Sequence, residues 1–205
     1  PGQTLVQRGD HLSAGRIGAL AAIGVADLEV YARPSLALLS TGDEIISPGQ
    51  SLGPGQIYDI NRFTLETIVR NHGGLAVGQP TPADTVDALT TAVQACTGHD
   101  LLVFSGGSSV GERDLILDVL QCQGEVLFHG IAVKPGKPTV FGRIGDTPVL
   151  GMPGYPTSCL SNAYMLLIPI LRRLAHLPPY RPRELTLPIA ARVVSTTGRH
   201  QFYTV

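Results

Sequence analysis

The chain has 205 residues, of which 43% are hydrophobic and 15% are charged, and its formal net charge at pH 7 is −1. This composition is typical of a globular protein, and the length suits one medium-sized domain with smaller segments beside it. A net charge so close to zero, without a basic stripe, argues against a protein that binds nucleic acid through bulk charge.

The three cysteines, Cys96, Cys122 and Cys159, are odd in number and widely spaced, and no Cys-x-x-Cys or Cys/His ligand spacing accompanies them. We therefore expect neither a disulfide framework nor a structural zinc site. A reducing cytoplasm is the compartment that this pattern favours. The cysteines are predicted to be small core residues.

The longest apolar segment, residues 159–174, contains Ser161, Asn162 and Pro169 and is too short to span a bilayer. No signal peptide is visible, so we expect a cytoplasmic protein with no membrane partner. Because the chain begins at Pro1 rather than at Met, it is predicted to be an excised fragment.

Apolar periodicity and capping residues predict strands that alternate with helices. In chain order we predict a helix over 14–24 capped by Ser13, strands over 28–32 and 36–40, a helix over 62–72 capped by Asn61, a strand over 75–80, a helix over 85–97 opened by Asp84 with Asp87, a strand over 101–104, a helix over 115–124, a strand over 125–133, a hairpin over 139–152 turning at Gly145-Asp146, and a helix from the Pro153–Ser158 turn to about Ala175. This order predicts an α/β domain over 35–176 with a mostly parallel sheet. Residues 177–183 have the composition of a linker, and residues 184–194 are predicted to begin a new β segment.

Polar turns follow three of the predicted strands. TGDE (41–44), SGGSSVGERD (105–114) and PGYPTS (153–158) each begin where a strand ends. Because ligands of open α/β sheets sit at the carboxyl ends of strands, we expect these turns to converge on one edge of the sheet.

The glycine-rich turn suits an anion. Glycines between Gly106 and Gly111 let backbone N–H groups point into one concavity, and serine hydroxyls add donors. The turn is not a Walker A motif, because Glu112 and Arg113 stand where that motif needs Lys and Ser or Thr. The alternative is a sharp strand-to-helix turn whose glycines serve only geometry.

Several carboxylates follow strand ends and have two interpretations. Asp114 is either the N-cap of the next helix or a carboxylate at the rim of the anion site. Asp43 and Glu44 are either a solvated turn or oxygen ligands for Mg²⁺, which takes one or two carboxylates plus substrate oxygens. Asp59 and Asp84 are weaker candidates, and Asp84 is interpreted mainly as a helix cap.

Two further turns carry groups that suit an oxyanion. KPGKP (134–138) sets Lys134 and Lys137 on one side of a turn, although an ordinary surface turn also carries lysines. Arg113 is a possible clamp for the same charge. The PGYP turn (153–156) either supplies an anion site at a helix start or is a plain proline helix entry.

Taken together, the segments STGDE, IYDIN, SGGSSVGERD, GIAVKPGKPTVFG and GMPGYP resemble the molybdopterin-binding domain of MoeA-type proteins. These are the molybdopterin molybdenumtransferases, and the E domain of gephyrin is related to them. By this resemblance 1–34 is the end of an N-terminal region, 35–176 the molybdopterin-binding domain, and 177–205 a linker and the start of a small C-terminal β domain.

The resemblance implies a three-layer α/β/α fold, a homodimer, and Mg²⁺-dependent insertion of molybdate into adenylated molybdopterin with release of AMP. It implies metal ligands at Asp43, Glu44 and Asp114, and catalytic roles for these three together with Lys134 and Lys137. The other residues expected to contact the pterin substrate are Thr41, Gly42, Ser105, Gly106, Gly107, Ser108, Ser109, Val110, Gly111, Pro135, Gly136, Pro153, Gly154, Tyr155 and Pro156.

Two departures from the family pattern stand out. Tyr155 replaces the usual Asn of a Leu-Pro-Gly-Asn-Pro motif, and Ser108 replaces a more usual Val. Tyr155 could donate through its hydroxyl or stack on a pterin. Two other functions stay open: adenylyl transfer to molybdopterin, as in the MogA-type relatives that resemble the chain less well, and a non-catalytic molybdopterin-binding scaffold or sensor.

Overall fold

A computed structural model describes residue 2 and residues 4–106, 115–195 and 197–203. The helices are α1 (Ala14–Ala22), α2 (Asn61–Asn71), α3 (Val86–Ala95), α4 (Leu115–Gln123), α5 (Pro156–Asn162) and α6 (Ile168–Leu174), with a π-helical turn (Ala163–Leu167) between the last two. The strands are β1 (Ser35–Thr41), β2 (Ile45–Ile46), β3 (Ile57–Tyr58), β4 (Leu75–Gly78), β5 (Leu101–Gly106), β6 (Glu125–His129), β7 (Val133–Lys134), β8 (Val140–Ile144), β9 (Thr147–Met152) and β10 (His200–Gln201).

The main sheet has six strands in the order β4-β1-β5-β9-β8-β6. The first four strands are parallel to one another, and β8 runs antiparallel to both β9 and β6. The prediction of a mostly parallel α/β sheet is therefore confirmed. The predicted hairpin is also confirmed, since β8 pairs with β9 and Ile144 faces Thr147 across the Gly145-Asp146 turn.

Helices cover both faces of this sheet, because the central strands are apolar on both sides. Leu36 and Leu38 of β1 pack with α2, α5 and α6, whereas Ala37 and Leu39 pack with α3 and α4. Alternate residues of a strand point to opposite faces, so a continuous apolar run feeds two cores. The three-layer α/β/α arrangement is confirmed.

Residues 28–32 are not a strand, and that prediction is wrong. Both edges of β1 are already occupied by β4 and β5, so the segment finds no free strand edge of β1 to pair with. Its apolar side chains stay exposed: Leu28 is 47%, Val30 66% and Tyr31 43% accessible. Local β propensity was overridden by the absence of a partner strand.

Helix caps differ from prediction in two of three cases. Ser13 caps α1 as expected, since its hydroxyl accepts a bond from the Arg16 backbone N–H. Asn61, however, is the first residue of α2 rather than its cap, and the Asp59 carboxylate accepts from the Arg62 N–H instead. Thr85, not Asp84, caps α3 by accepting from the Ala88 N–H. The Asp84 carboxylate is therefore not the N-cap of α3.

The C-terminal segment runs largely without regular structure. Residues 184–194, predicted to begin a β segment, form no strand, and β10 pairs in parallel with β7. Cys96 and Cys159 are buried as expected, but Cys122 is exposed, so its assignment to the core is wrong. In the described ranges no helix is long and apolar enough to cross a membrane.

Candidate functional site

Three strand ends meet at one edge of the main sheet. Thr41 at the end of β1 lies opposite Gly106 at the end of β5, and Ser105 lies opposite Met152 at the end of β9. The turn after β9 approaches closely, because a Cβ built on Gly154 would lie 3.3 Å from the Gly106 Cα. The carboxyl edge therefore brings together the TGDE, 105–106 and PGYP turns.

Gly106 makes this approach possible. Its φ of +115° favours glycine, and a Cβ there would overlap the Thr41 carbonyl oxygen and lie 2.9 Å from the Thr41 Oγ1. That Thr41 hydroxyl is buried and has no hydrogen-bond partner within the part of the chain that the structure describes. A buried hydroxyl without a partner is costly, so this hydroxyl at the site edge is a candidate contact for a ligand.

Asn61 ties the PGYP turn to α2. Its Nδ2 donates to the Gly154 carbonyl over 2.8 Å, a contact between residues 93 positions apart. Pro153 is buried, whereas Tyr155 is 72% exposed and directly precedes α5, which begins at Pro156. The hydrogen bond from Asn61 thus anchors the turn to α2, while the Tyr155 ring faces solvent.

Asp43, Glu44 and Asp84 form an acidic group beyond the end of β1. The Asp84 backbone N–H donates to the Asp43 carboxylate over 3.0 Å, which brings the loop after β4 to the TGDE turn. The pKa of Asp84 is raised, first by burial and then by the negative charges of Asp43 and Glu44. Asp43 and Glu44 therefore repel the Asp84 carboxylate, a condition that a bound cation would relieve.

The acidic group is a loose one. In residues 4–106, 115–195 and 197–203, no three His, Cys, Asp or Glu side chains are close enough to hold a metal ion among themselves. Mg²⁺ usually takes only one or two carboxylates and completes its shell with water and substrate oxygens. The donor set therefore fits Mg²⁺ better than a metal held wholly by protein.

The KPGKP turn lies at the same edge, because it precedes β8 and the first residue of β8, Val140, faces Gly151 near the end of β9. Lys134 and Lys137 are exposed, and they are the only two lysines of the chain. Every other cationic side chain is Arg or His. The compact ammonium group of lysine therefore occurs at this turn alone, and the sequence analysis did not use that feature of the composition.

The acidic group and the KPGKP turn (residues 134–138, hereafter the lysine turn) lie at opposite ends of the site. Between β1 and β8 lie β5 and β9, so the two ends are three strand spacings apart, or about 14 Å. The glycine-lined edge of β5 and β9 occupies the space between them. A ligand that bridges both ends must therefore be elongated, with negative charge at the lysine end; negative charge at the acidic end would need a cation between it and the carboxylates.

Part of the predicted site falls on residues that the structure does not describe. Gly107, Ser108, Ser109, Val110, Gly111 and Asp114 lie outside the described residues. The described residues of that turn are Ser105, which is buried, and Gly106.

The sequence analysis missed Asn162 and Thr139, whose side chains make hydrogen bonds with the lysine turn. The Asn162 amide donates to the Gly136 carbonyl over 3.0 Å and to the Thr139 hydroxyl over 2.6 Å. An Asn inside the apolar run 159–174 was the available signal.

A cavity of about 1100 Å³ lies at the opposite, amino edge of the sheet. It is lined by segments 6–12 and 28–33 and by the end of α6. None of the described site residues named from the sequence lines it.

Comparison with known proteins identifies the family of this chain. A family model described as a probable molybdopterin binding domain matches residues 37–173. The chain is 36% identical over 174 residues to a molybdopterin molybdenumtransferase of Haemophilus influenzae, covering 84% of this chain and 43% of the relative. It is 34% identical over 209 residues to molybdopterin molybdenumtransferase 2 of Mycobacterium tuberculosis (strain ATCC 25618 / H37Rv), covering 98% and 51%.

A solved structure shares the fold of this chain. The crystal structure of a molybdopterin biosynthesis MoeA protein from Pyrococcus horikoshii superimposes with a TM-score of 0.76 at 40% identity, covering 83% of this chain and 43% of that one. The chain thus spans about half the length of the relatives it matches. With the family model matching 37–173 and these relatives above 30% identity, the chain belongs to the molybdopterin-binding domain family.

Proposed function

We propose that this chain is the substrate-binding domain of a molybdopterin molybdenumtransferase, which binds adenylated molybdopterin and inserts molybdate with release of AMP. The observation that carries the proposal is the shared sheet edge, with carboxylates at one end, two lysines at the other and glycines between. An adenylated pterin is elongated and anionic, and molybdate is an oxyanion. Binding both along this edge needs positive groups, and the lysines at one end and a cation held by the carboxylates at the other would supply them. The relatives named as molybdenumtransferases support the same assignment.

The lysine turn holds negative oxygens of the substrate. Lys134 and Lys137 are exposed and lie on the two sides of Gly136. Ammonium groups bind phosphate and other oxyanions as point charges, without the fixed fork of arginine. Gly106 and Gly154 leave the backbone bare where the middle of the ligand passes. The exposed ring of Tyr155 is available to stack on the pterin.

The acidic end supplies the metal site. One or two carboxylates drawn from Asp43, Glu44 and Asp84, and from Asp114 outside the described residues, would hold Mg²⁺, with water and substrate oxygens completing its shell. When bound, this ion would neutralise and polarise phosphate or molybdate oxygens. The contribution of the chain itself is to gather carboxylates that repel one another, so that a cation binds here in preference to the surrounding surface. A homodimer in the cytoplasm belongs to the same proposal, and sedimentation analysis tests the dimer.

AMP release by the intact protein tests the proposed function. Adenylated molybdopterin is incubated with and without Mg²⁺ and molybdate, and AMP is measured. We expect release only when both are present. Pyrophosphate formation from ATP and molybdopterin would instead indicate an adenylyltransferase, and binding without AMP release would indicate a scaffold.

A pair of variants tests the lysine turn within the same assay. Lys137→Met should raise the KM for adenylated molybdopterin about tenfold, the lower limit of the roughly 1.5–3 kcal/mol that a charge-assisted bond contributes, because Lys137 is exposed. Arg143→Gln is the matched control, because Arg143 is an exposed cation near the other end of β8, paired with Glu125 at 2.7 Å. An equal rise in KM in both variants would contradict a specific role for Lys137.

A further inference from the structure

Asn162 is an unusual residue for its surroundings. It is 0% exposed, at the end of α5, and its neighbours Cys159, Ala163 and Leu167 belong to the apolar core. A buried amide there costs free energy that an apolar residue of similar size would not, unless its polar groups are used. Within the described ranges the Asn162 Oδ1 has no hydrogen-bond partner. Only the NH₂ side of the amide is in use.

Both protons of that NH₂ point at the lysine turn. One is donated to the Gly136 carbonyl over 3.0 Å and the other to the Thr139 hydroxyl over 2.6 Å. The Thr139 hydroxyl donates its own proton to the same Gly136 carbonyl over 2.8 Å. The Gly136 carbonyl fixes the orientation of the amide, because a flipped amide would set its oxygen against that acceptor.

The backbone of the turn also approaches the Asn162 amide closely. Gly136 has a φ of +110°, and a Cβ built there would overlap the Asn162 Oδ1 and lie 2.8 Å from its Nδ2. The backbone between Lys134 and Lys137 therefore sits directly on the Asn162 amide. The helix changes to a π-helical turn immediately after Asn162, and such turns often occur at functional sites.

We propose that Asn162 is a positioning residue that holds the Lys134–Lys137 turn on α5 and so sets where the two ammonium groups meet the anionic substrate. The same helix begins at the PGYP turn, so Asn162 couples two of the turns that form the site edge. It does not touch the ligand itself. This inference rests on the proposed function, because it takes the lysines as ligands of the substrate.

Two variants remove the contact in different ways. Asn162→Ala removes both donors, and Thr139→Val removes the hydroxyl that accepts from Asn162 and donates to the Gly136 carbonyl, with little change in volume. Each should raise the KM for adenylated molybdopterin about tenfold with kcat within about twofold, because a displaced lysine loses ground-state and transition-state binding alike. Thr147→Val is the matched control: it removes a buried hydroxyl from the far end of β9, where Thr147 accepts from the Gly98 N–H. It should lower Tm and leave KM unchanged.

A third variant separates the donors from the shape. Asn162→Asp keeps the shape but presents oxygens to the Gly136 carbonyl. When protonated it can donate one bond, so the ratio of its KM to that of the wild type should shrink as pH falls. A ratio that does not change with pH would contradict a role for the donors. If this variant does not fold, Thr139→Val still tests the proposal.

The decisive experiment is a double-mutant cycle between Asn162→Ala and Lys137→Met in the intact protein, measured as AMP release. If Asn162 acts through the lysine, the second substitution adds less than about twofold to KM. Full additivity, or a wild-type KM in Asn162→Ala, would overturn the inference while leaving the proposed function intact. Absence of AMP release by the wild type would instead contradict the proposed function, and the lysine role would fall with it.

Discussion

Replacing Gly106 with alanine tests the close approach of the strand ends on which the site depends. Alanine at a φ of +115° is strained, which costs about 1–3 kcal/mol. The new Cβ would also overlap the Thr41 carbonyl oxygen, a backbone atom fixed by the pairing of β1 with β5. Overpacking of this kind costs a further 1–3 kcal/mol, so we expect a total loss of about 4 kcal/mol in the free energy of unfolding. For a chain of this size that loss lowers Tm by about 8–16 °C.

Gly98→Ala is the matched control for this prediction. Gly98 has a φ of +102°, but a Cβ there would meet no heavy atom within 4 Å. It therefore reports backbone strain alone, which we expect to cost about 2 kcal/mol and to lower Tm by about 4–8 °C. Urea and thermal unfolding of both variants would measure the difference. If Gly106→Ala is no more destabilised than Gly98→Ala, the strand ends do not approach as closely as the structure shows.

Two further predictions concern ionisable groups. The pKa of Asp84 is raised above 3.8, so the folded chain loses stability as the pH rises from 3.8 through the raised pKa. Asp84→Asn should therefore increase Tm at neutral pH, lose that gain below about pH 3.8 and reduce AMP release. A lower Tm at pH 7 would contradict the repulsion between Asp84 and its acidic neighbours. Burial, and secondarily the charge of Asp59, raises the pKa of the Cys159 thiol to about 12. A thiol reagent at pH 8 should therefore modify exposed Cys122 quickly, whereas buried Cys96 and Cys159 should react only after unfolding. Three fast thiols in the native chain would refute this.

Much of the fold could be predicted because its signals are local. The apolar runs of β1 and β5 indicate strands buried on both faces, and the Gly145-Asp146 turn indicates a hairpin. Their alternation with amphipathic helices then indicates parallel strands, and the carboxyl ends of parallel strands lie at one edge of the sheet. The convergence of the turns therefore followed from fold class, before any contact was known.

The errors come from tertiary contacts that no local pattern encodes. Asn61 has the residue type of a helix cap, yet its amide is engaged by Gly154, 93 positions away. Residues 28–32 have strand-like composition but no partner strand. The contact of Asn162 with Gly136 joins the end of α5 to a turn 26 positions earlier, so the sequence showed only a polar residue in an apolar run.

Hydrogen exchange on the chain with and without bound adenylated molybdopterin tests the central claim most directly. We predict slower exchange together at 41–44, at Gly136–Lys137 and at Gly154–Tyr155, because one ligand spans the carboxyl edge of the sheet. Protection confined to 6–12 and 28–33, around the cavity at the amino edge, would contradict the account.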